Sequence, residues 1–328
     1  MESRLLPTLI LHLPLALLLL YHSAAASSVL QKLASVSFDE GYTHLFGEDN
    51  LIVQRDGRTV HISLDKYSGS GFVSHELYQY GFFSASIKLP ADYTAGVVVA
   101  FYMSNADIFE TNHDEIDFEF LGNIRGREWR VQTNVYGNGS TARGREERYG
   151  LWFDPSEEFH RYSILWTDTH IVFYVDNVPI REVKRTEPVA GDYPTKPMSL
   201  YTTIWDGSEW ATSGGRYKVN YKLAPYVARF TDLILHGCAV DPIELQQSAC
   251  DGAHSVLSAF TLSPEDMSAM DKFRDKHMTY SYCYDRVRYP VPLPECVLQP
   301  DIADRLGETG ATKFGRRRRH GRRHRRSA

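Results

Sequence analysis

Short runs of alternating or wholly apolar residues, separated by turn residues, fill the chain from about Val36 to Phe230. Residues 82–89 alternate apolar and polar side chains, which is typical of a strand with one buried face. Residues 97–101 are apolar throughout and favour a strand that is covered on both faces. Residues 162–166 and 171–175 are spaced to face each other as paired strands. Helical periodicity is weak in this region, so the pattern predicts an all-β sandwich.

The pattern changes after Phe230, where polar stretches and one amphipathic segment replace the strand-like runs. A helix is predicted to begin after Ser263, because a cap residue followed by a proline marks a helix N-terminus. Met267, Met270 and Phe273 then recur at helical spacing. We therefore predict that the segment after Phe230 is an extension attached to the sandwich.

The N-terminal segment has the pattern of a secretory signal peptide. Arg4 precedes an apolar run over residues 5–21, and small residues follow at 24–28. A membrane anchor is the alternative, but Pro7 and Pro14 interrupt a run that is already short for spanning a bilayer. We predict a secreted protein and no membrane partner.

These patterns divide the chain into four predicted parts. They are a signal peptide at 1–26, a β-sandwich domain at 27–230, an extension at 231–300 and a basic, disordered tail at 301–328. The length of 328 residues and the 43% hydrophobic content are sufficient for a packed core. The composition therefore excludes a wholly disordered protein.

The four cysteines lie in the last third of the chain, at Cys238, Cys250, Cys283 and Cys296. This placement fits an oxidising compartment and two disulfides within the extension. Four cysteines allow three pairings, of which we favour the local one, Cys238 with Cys250 and Cys283 with Cys296. A zinc site is the alternative, but no Cys-x-x-Cys spacing supports it.

The formal charge of −5 conceals a basic tail. Residues 313–328 hold Lys313 and eight arginines without an acid, so the rest of the chain is strongly acidic. One interpretation is that the tail binds an anionic polymer by charge attraction through Arg316, Arg317, Arg318 and Arg319. The other is that the tail is an unimportant extension. The signal peptide argues against a nucleic-acid partner, although an arginine run alone would suggest one.

Three carboxylates alternate with three apolar residues in the segment His113–Gly122. A strand places every second residue on one face, so Glu115, Asp117 and Glu119 are predicted to share one surface. Like charges at this spacing are unfavourable, which makes a purely structural role difficult to assign. A solvated sheet face is one alternative, and a metal site that includes His113 is another.

Glycoside hydrolysis requires such a pair of carboxyl groups, one that attacks the anomeric carbon and one that protonates the leaving oxygen. The Cα atoms of Glu115 and Glu119 should be roughly 13 Å apart on a strand. Retaining enzymes hold the two carboxyl groups about 5 to 5.5 Å apart, so the side chains would have to lean together. Asp117 lies between them and can help to keep Glu119 protonated.

The segment His113-Asp-Glu-Ile-Asp-Phe-Glu-Phe-Leu-Gly122 resembles the catalytic signature of the xyloglucan endotransglucosylase/hydrolases of glycoside hydrolase family 16. The resemblance extends through Ser68–Val73, Phe101–Asn105, Trp152–Pro155, Trp205–Thr212 and Tyr282–Tyr289 to Cys296. It implies a concanavalin-like β-jelly-roll with an open cleft and neither a metal nor a cofactor. It further implies Glu115 as the nucleophile, Asp117 as its helper and Glu119 as the acid/base.

Further positions carry over from this resemblance as substrate contacts. The implied contacts, besides Glu119, are Gln132, Thr133, Asn134, Gly144, Arg145, Glu146, Glu209, Trp210, Gly214 and Arg288. Members of the family often have aspartate where this chain has Gly144. For Trp205 and Trp210, packing in the core is an equally good interpretation.

Asn138-Gly-Ser140 is an N-glycosylation acceptor in a glycine-rich loop. Its position, the segment that begins at Ile204 and the basic tail resemble the third subgroup of the family, which contains both transferases and hydrolases. The resemblance implies a secreted enzyme of the cell wall and apoplast that cuts xyloglucan and rejoins it to another chain. The alternatives are a glucanase of other linkage specificity and a lectin that binds wall polysaccharides without cutting them.

Overall fold

The structure is a computed structural model that describes residue 30, residues 32–241, residue 257 and residues 260–308. The strands in chain order are β1 Tyr42–Phe46, β2 Leu51–Val53, β3 Val60–Leu64, β4 Ser70–Ser74, β5 Leu77–Lys88, β6 Val97–Ser104, β7 Glu115–Leu121, β8 Arg130–Tyr136, β9 Glu147–Tyr149, β10 His160–Trp166, β11 His170–Val175, β12 Val178–Lys184, β13 Ser199–Asp206, β14 Tyr226–Val240 and β15 Met278–Ser281. The α-helices are α1 Phe38–Gly41, α2 Pro264–His277 and α3 Pro300–Glu308.

Two antiparallel sheets stack face to face as a β-jelly-roll sandwich. The eight-stranded sheet has the order β1-β4-β13-β6-β7-β8-β9-β15, and the seven-stranded sheet has the order β12-β11-β10-β5-β14-β3-β2. Aromatic side chains join the two sheets: Phe118 of β7 meets Phe173 of β11 edge to face, with ring centroids 5.1 Å apart. The all-β prediction is confirmed, since the helices among the described residues are short or lie after β14.

The predicted strands form where the hydrophobic pattern placed them. Residues 162–166 and 171–175 pair in antiparallel register, with Tyr162 opposite Val175. The apolar run at 97–101 begins β6 and is covered on both faces, because Val97 and Val99 point into the core while Val98 packs beneath Ala211. The alternating run at 82–89 belongs to the longer strand β5.

The C-terminal extension is built into the sandwich rather than attached to its surface. The predicted boundary at residue 230 falls inside β14, which continues to Val240 and pairs along most of its length with β5. Strand β15 pairs with β9 and forms one edge of the eight-stranded sheet. The boundary was misplaced because the apolar pattern weakens along β14, where one face is only partly covered.

Helix α2 and one disulfide fix the extension in place. Ser263 caps α2 as predicted, since its Oγ accepts a hydrogen bond from the backbone N–H of Asp266 at 3.0 Å. Phe273 of α2 is buried against the ring of Tyr149. The predicted Cys283–Cys296 disulfide is confirmed. Cys238 is also disulfide-bonded, whereas Cys250 lies outside the described residues.

The start of the predicted tail also differs from the prediction. Residues 300–308 form α3, and within it Leu306 is fully buried while Ile302 packs against the main core. A single buried leucine in a polar sequence is a weak signal, so composition alone suggested disorder. The signal peptide, Lys313 and the arginines of the tail lie outside the described residues. Among the helices of the described part, none is long and apolar enough to cross a membrane.

Candidate active site

Strand β7 places the three carboxylates on one face of the eight-stranded sheet. The intervening residues Ile116 and Phe118 are fully buried between the two sheets, and this burial fixes the strand's orientation. Glu115, Asp117 and Glu119 therefore line a cavity of about 550 Å³ on the outer face of this sheet. The predicted common surface of the three acids is confirmed.

Neighbouring strands supply the rest of the cavity wall. The lining consists of Phe46, Ala100, Tyr102, Glu115, Asp117, Glu119, Gln132, Asn134, Tyr136, Glu146, Arg148, Thr203, Trp205 and Trp210. Antiparallel register explains this set, because β6 sets Tyr102 opposite Asp117 and β8 sets Gln132 opposite Glu119. The wall thus combines acids, amides and aromatic rings, which are the groups suited to a polyhydroxylated sugar chain.

Each carboxylate has its own hydrogen-bond donor. Ser104 Oγ donates to Glu115 Oε2 at 3.0 Å, and Asn134 Nδ2 donates to Asp117 Oδ2 at 3.2 Å. Gln132 Nε2 donates to Glu119 Oε2. These donors are neutral, so they orient the carboxyl groups without cancelling their charge.

Burial raises the pKa of all three acids, and repulsion from neighbouring carboxylates adds to the rise for Asp117 and Glu119. Burial raises the pKa of Glu119 to about 7, although the Gln132 hydrogen bond and the Arg148 charge oppose the rise. Burial raises the pKa of Asp117 well above its ordinary value, and the charges of Glu115 and Glu119 add to the effect. Burial also raises the pKa of Glu115, against the hydrogen bond from Ser104. A site that resists carrying three negative charges can hold a proton near neutral pH.

Three of the implied contact residues meet at one end of the cavity. Arg288 Nη1 donates to Glu146 Oε2 at 2.5 Å, which joins the extension to the loop before β9. Gly144 lies beside this pair, because a Cβ atom at that position would be 2.6 Å from both Arg288 Nη2 and Glu146 Oε1. The structure thus brings Gly144, Glu146 and Arg288 together, and only Glu146 among them lines the cavity.

Thr133 and Arg145 are not on the cavity face, and the expectation that their side chains contact substrate is revised. Thr133 is fully buried on the inner face of β8, and its Oγ1 accepts a hydrogen bond from Arg181 at 2.9 Å. The Arg145 side chain is 2% exposed and pairs with Glu295 at 2.6 Å and Asp192 at 3.0 Å. Because side chains alternate along β8, Gln132 and Asn134 face the cavity while Thr133 faces the core. A match to the sequence motif does not distinguish the two faces.

The loop after β13 carries the remaining implied contacts. Trp210 lines the cavity, and its ring centroid lies 6.0 Å from that of Trp205. Both rings also pack on the small apolar cluster that includes Val98, so both interpretations of these tryptophans hold in part. Glu209 is exposed and pairs with Lys218 at 2.7 Å. Gly214 has a φ of +66° in the same loop, and neither it nor Glu209 lines the cavity.

Sequence reasoning did not single out several cavity residues, of which Arg148 is the most important. Its Nε donates to Gln132 Oε1 at 2.6 Å, which places a partly buried cation next to the Glu119 site. Tyr102, Tyr136 and Ser104 were also missed. Strand alternation through residues 145–149 could have suggested Arg148, but its pairing with Gln132 depends on a register between distant strands.

The metal alternative finds no ligand cluster in the described part of the chain, where no three or more His, Cys, Asp or Glu side chains converge suitably. Asp114, which directly precedes the row of three acids, is fully buried and pairs with Lys196 Nζ at 2.7 Å. Asp114 also accepts a hydrogen bond from the backbone N–H of Asn138 at 2.6 Å. Asn138 itself is exposed in the loop after β8, where a glycan would have access.

The comparisons with known proteins agree with this geometry. Residues 38–223 match the model of the glycosyl hydrolases family 16, and residues 251–296 match the xyloglucan endo-transglycosylase (XET) C-terminus. The probable xyloglucan endotransglucosylase/hydrolase protein 28 of Arabidopsis thaliana is 64% identical over 297 residues, which cover 90% of each chain. Protein 27 of the same series and organism is 63% identical, with 92% of each chain covered.

A solved structure supports the fold. The crystal structure of a prokaryotic β-1,3-1,4-glucanase (lichenase) derived from a mouse hindgut metagenome is 25% identical and superposes with a TM-score of 0.50. The match covers 62% of this chain and 97% of the glucanase. The part of this chain beyond the match therefore exceeds a third of its length.

Proposed function

The chain belongs to the xyloglucan endotransglucosylase/hydrolases of glycosyl hydrolase family 16, and on that premise we propose that it cuts the backbone of xyloglucan and rejoins it to another xyloglucan chain. The single observation that carries the proposal is the row of Glu115, Asp117 and Glu119 in one open cavity. The names of the relatives supply the substrate, and the carboxylate row supplies the chemistry.

The first step forms a covalent glycosyl-enzyme. The Glu115 carboxylate attacks the anomeric carbon at the cut while Glu119 transfers its proton to the departing glycosidic oxygen. The raised pKa of Glu119, about 7, keeps it protonated in mildly acidic surroundings. Asp117, whose pKa is also raised, can donate a hydrogen bond to Glu115 and limit the negative charge beside Glu119.

The second step regenerates the enzyme. Glu119 is now a carboxylate and accepts the proton from the 4-hydroxyl of an acceptor chain, whose oxygen attacks the anomeric carbon and releases Glu115. Water can take the place of the acceptor, and the product is then a shortened chain. We propose that Trp210 and the Glu146–Arg288 pair hold the acceptor sugar, so that transfer competes with hydrolysis.

The remaining expectations about the setting of this activity are part of the proposal. The predicted signal peptide would deliver the enzyme to the cell wall and apoplast, where its donor and acceptor polymers are found. Exposed Asn138 would carry a glycan on that route. An anionic wall polymer bound by the arginine tail remains a separate prediction that rests on the sequence alone.

The test is to incubate the full-length protein with xyloglucan and labelled xyloglucan oligosaccharides, following both polymer-bound label and new reducing ends. Incorporated label without a matching number of reducing ends is the expected result. Glu115→Ala should abolish both signals, by about 10⁴-fold or more, because the nucleophile is lost. Glu110→Ala, which removes an exposed acid five residues before the strand, is the matched control and should keep full activity.

The other outcomes assign the alternatives. Reducing ends without incorporated label would make the protein a hydrolase. A folded wild type that gives neither signal on xyloglucan but cuts another β-glucan would support the glucanase alternative. Binding of a glucan without any cleavage would support the lectin.

A further inference from the structure

Two side-chain amides in the cavity have their orientation set by a neighbouring donor. An amide side chain presents an oxygen at one end, which only accepts, and an NH₂ group at the other, which only donates. Gln132 lies between Glu119 and Arg148, and its Oε1 is 2.6 Å from Arg148 Nε. Because a guanidinium can only donate, it must take the oxygen of the amide, and the NH₂ group is left to face Glu119.

The orientation of Asn134 beside Asp117 is fixed in the same way, but by a backbone N–H instead of an arginine side chain. The backbone N–H of Arg145 donates to Asn134 Oδ1 at 2.8 Å, so Asn134 turns its NH₂ group towards Asp117. This second case uses a backbone group that no substitution of a side chain removes. The Arg148 case is therefore the one that experiment can break.

Arg148 is itself fixed by the C-terminal extension. Strand β15 pairs with β9 and sets Tyr280 opposite Arg148. The guanidinium lies over the Tyr280 ring at 5.2 Å from its centroid, and the Tyr280 hydroxyl donates to Asp285 at 2.9 Å. The chain of contacts thus runs from the extension through Arg148 and Gln132 to the acid/base residue.

We propose that Arg148 is a positioning residue for acid catalysis, which acts through Gln132 to direct the transferable proton of Glu119 to one oxygen. With the Gln132 N–H aimed at Oε2, a protonated Glu119 holds its hydrogen on Oε1, since two hydrogens cannot share the same approach. Oε1 is then the atom that gives its proton to the glycosidic oxygen and later takes one from the acceptor hydroxyl. This inference rests on the proposed function, because it assumes Glu119 as the acid/base.

The charged groups that face Glu119 bear on its titration as well. Arg148 is the cation among them, and Glu115, Asp117 and Glu146 are the acids. Strand β6 sets Ala100 opposite Glu119 and so adds no charge there. Loss of Arg148 would leave Glu119 facing acids alone, which should allow it to keep its proton to higher pH.

The experiment compares two substrates that differ in their need for an acid. When xyloglucan is cut, the departing part of the chain is a poor leaving group and needs a proton from the acid. An activated aryl glycoside of a xyloglucan oligosaccharide instead releases a phenolate, which leaves without being protonated. Arg148→Met should lower the rate on xyloglucan by about 10²-fold while first-turnover release of the phenolate falls by less than about fivefold. The alkaline limb of the pH–rate profile should move to higher pH.

Control variants separate positioning from loss of structure. Arg148→Lys keeps a cation that can only donate, so it should recover part of the lost rate. Arg130→Met removes a guanidinium of β8 that pairs with Glu128, and it should affect neither substrate. In a double-mutant cycle, Gln132→Met combined with Arg148→Met should cost little more than either change alone, because both break the same contact chain.

Two results would overturn the inference. One is an equal loss on both substrates with an unmoved alkaline limb, which would assign Arg148 a structural or substrate-binding role. The other is full additivity in the double-mutant cycle. A wild type that transfers no label would instead count against the proposed function, while the phenolate assay would still report whether Glu115 is active.

Discussion

Glu119, which is half-buried, and Glu147, which is buried, lie on strands of the same sheet, yet their surroundings move the two pKa values in opposite directions. Burial raises the pKa of Glu119 to about 7, because a neutral amide and one cation do not offset desolvation and nearby acids. Burial acts on Glu147 in the same direction, but the guanidinium groups of Arg274 and Arg181 outweigh it and hold its pKa well below the ordinary value.

The difference shows that one face of the sheet carries the proposed catalytic acids while the other face carries acids that stabilise the fold. Glu147 faces inward, where Arg274 of α2 forms hydrogen bonds of 2.6 and 2.9 Å to its two oxygens and fastens the extension to the sandwich. Glu119 faces the cavity, where further pairing would remove the proton that catalysis needs. In this sheet, an acid that accepts hydrogen bonds from guanidinium groups, such as Glu147, has a structural role. An acid whose hydrogen-bond donor is neutral, such as Glu119, has the proposed catalytic role.

The largest effect that would test this contrast is on stability. Glu147→Gln should lower the free energy of unfolding by about 3 to 5 kcal/mol, since it leaves the Arg274 and Arg181 guanidinium groups without their buried anion. Urea unfolding at pH 7 measures this change. Glu128→Gln breaks an exposed pair with Arg130 and should cost less than about 1 kcal/mol. A loss as small as the control's would contradict the structural role of Glu147.

A second experiment uses the opposite signs of the two pKa shifts. Glu119 has a folded pKa above its unfolded one, so its contribution to stability is full below about pH 4.5 and is lost as the pH rises through 7. Glu119→Gln should therefore match the wild type near pH 4 and exceed its unfolding free energy by about 2 kcal/mol near pH 8. The deficit of Glu147→Gln should instead be largest at neutral pH and shrink as the pH falls below 4.5. If the unfolding free energies of the two variants, relative to the wild type, changed with pH in the same direction, the opposite pKa shifts of Glu119 and Glu147 would be contradicted.

The same carboxyl should set the alkaline limb of activity. Transfer to labelled oligosaccharide should fall by about tenfold per pH unit above about 7, because the proton of Glu119 is lost. On the acid side, activity should fall as Glu115, whose pKa is also raised, becomes protonated. Initial rates from pH 4 to 9 at saturating donor give both limbs. A rate that continued to rise above pH 8 would contradict the assignment of the acid.

How much of this contrast could be predicted from sequence depends on how local each feature is. The common face of Glu115, Asp117 and Glu119 follows from alternation within one strand, and it was predicted. The partners that set their chemistry come from other strands: Arg148 reaches Glu119 only through the β8–β9 register. Thr133 lies on the inner face of β8 and Arg145 is buried by its pairs with Asp192 and Glu295, so these two residues matched by motif lie off the cavity face.

Glu146 is intermediate between Glu119 and Glu147, because it lines the cavity as Glu119 does and pairs with an arginine, Arg288, at 2.5 Å. Gly144 permits this pair to approach closely. Its φ of −59° suits any residue, so a substitution there is opposed by side chains rather than by backbone strain. A Cβ atom would be 2.6 Å from Arg288 Nη2 and from Glu146 Oε1, and both are ends of side chains that can move.

The carboxylate introduced by Gly144→Asp should compete with Glu146 for the Arg288 guanidinium. Glu146 would then lack a close cationic partner, like Glu119. We expect a change of a few-fold in the KM for the acceptor, a nearly unchanged kcat and a loss of unfolding free energy below about 1 kcal/mol, since the pair is partly exposed. Gly144→Asn has a similar size without the charge, so it separates crowding from competition for Arg288. Equal effects of the two variants would show that space at Gly144, rather than the partner of Arg288, controls the acceptor end of the cavity.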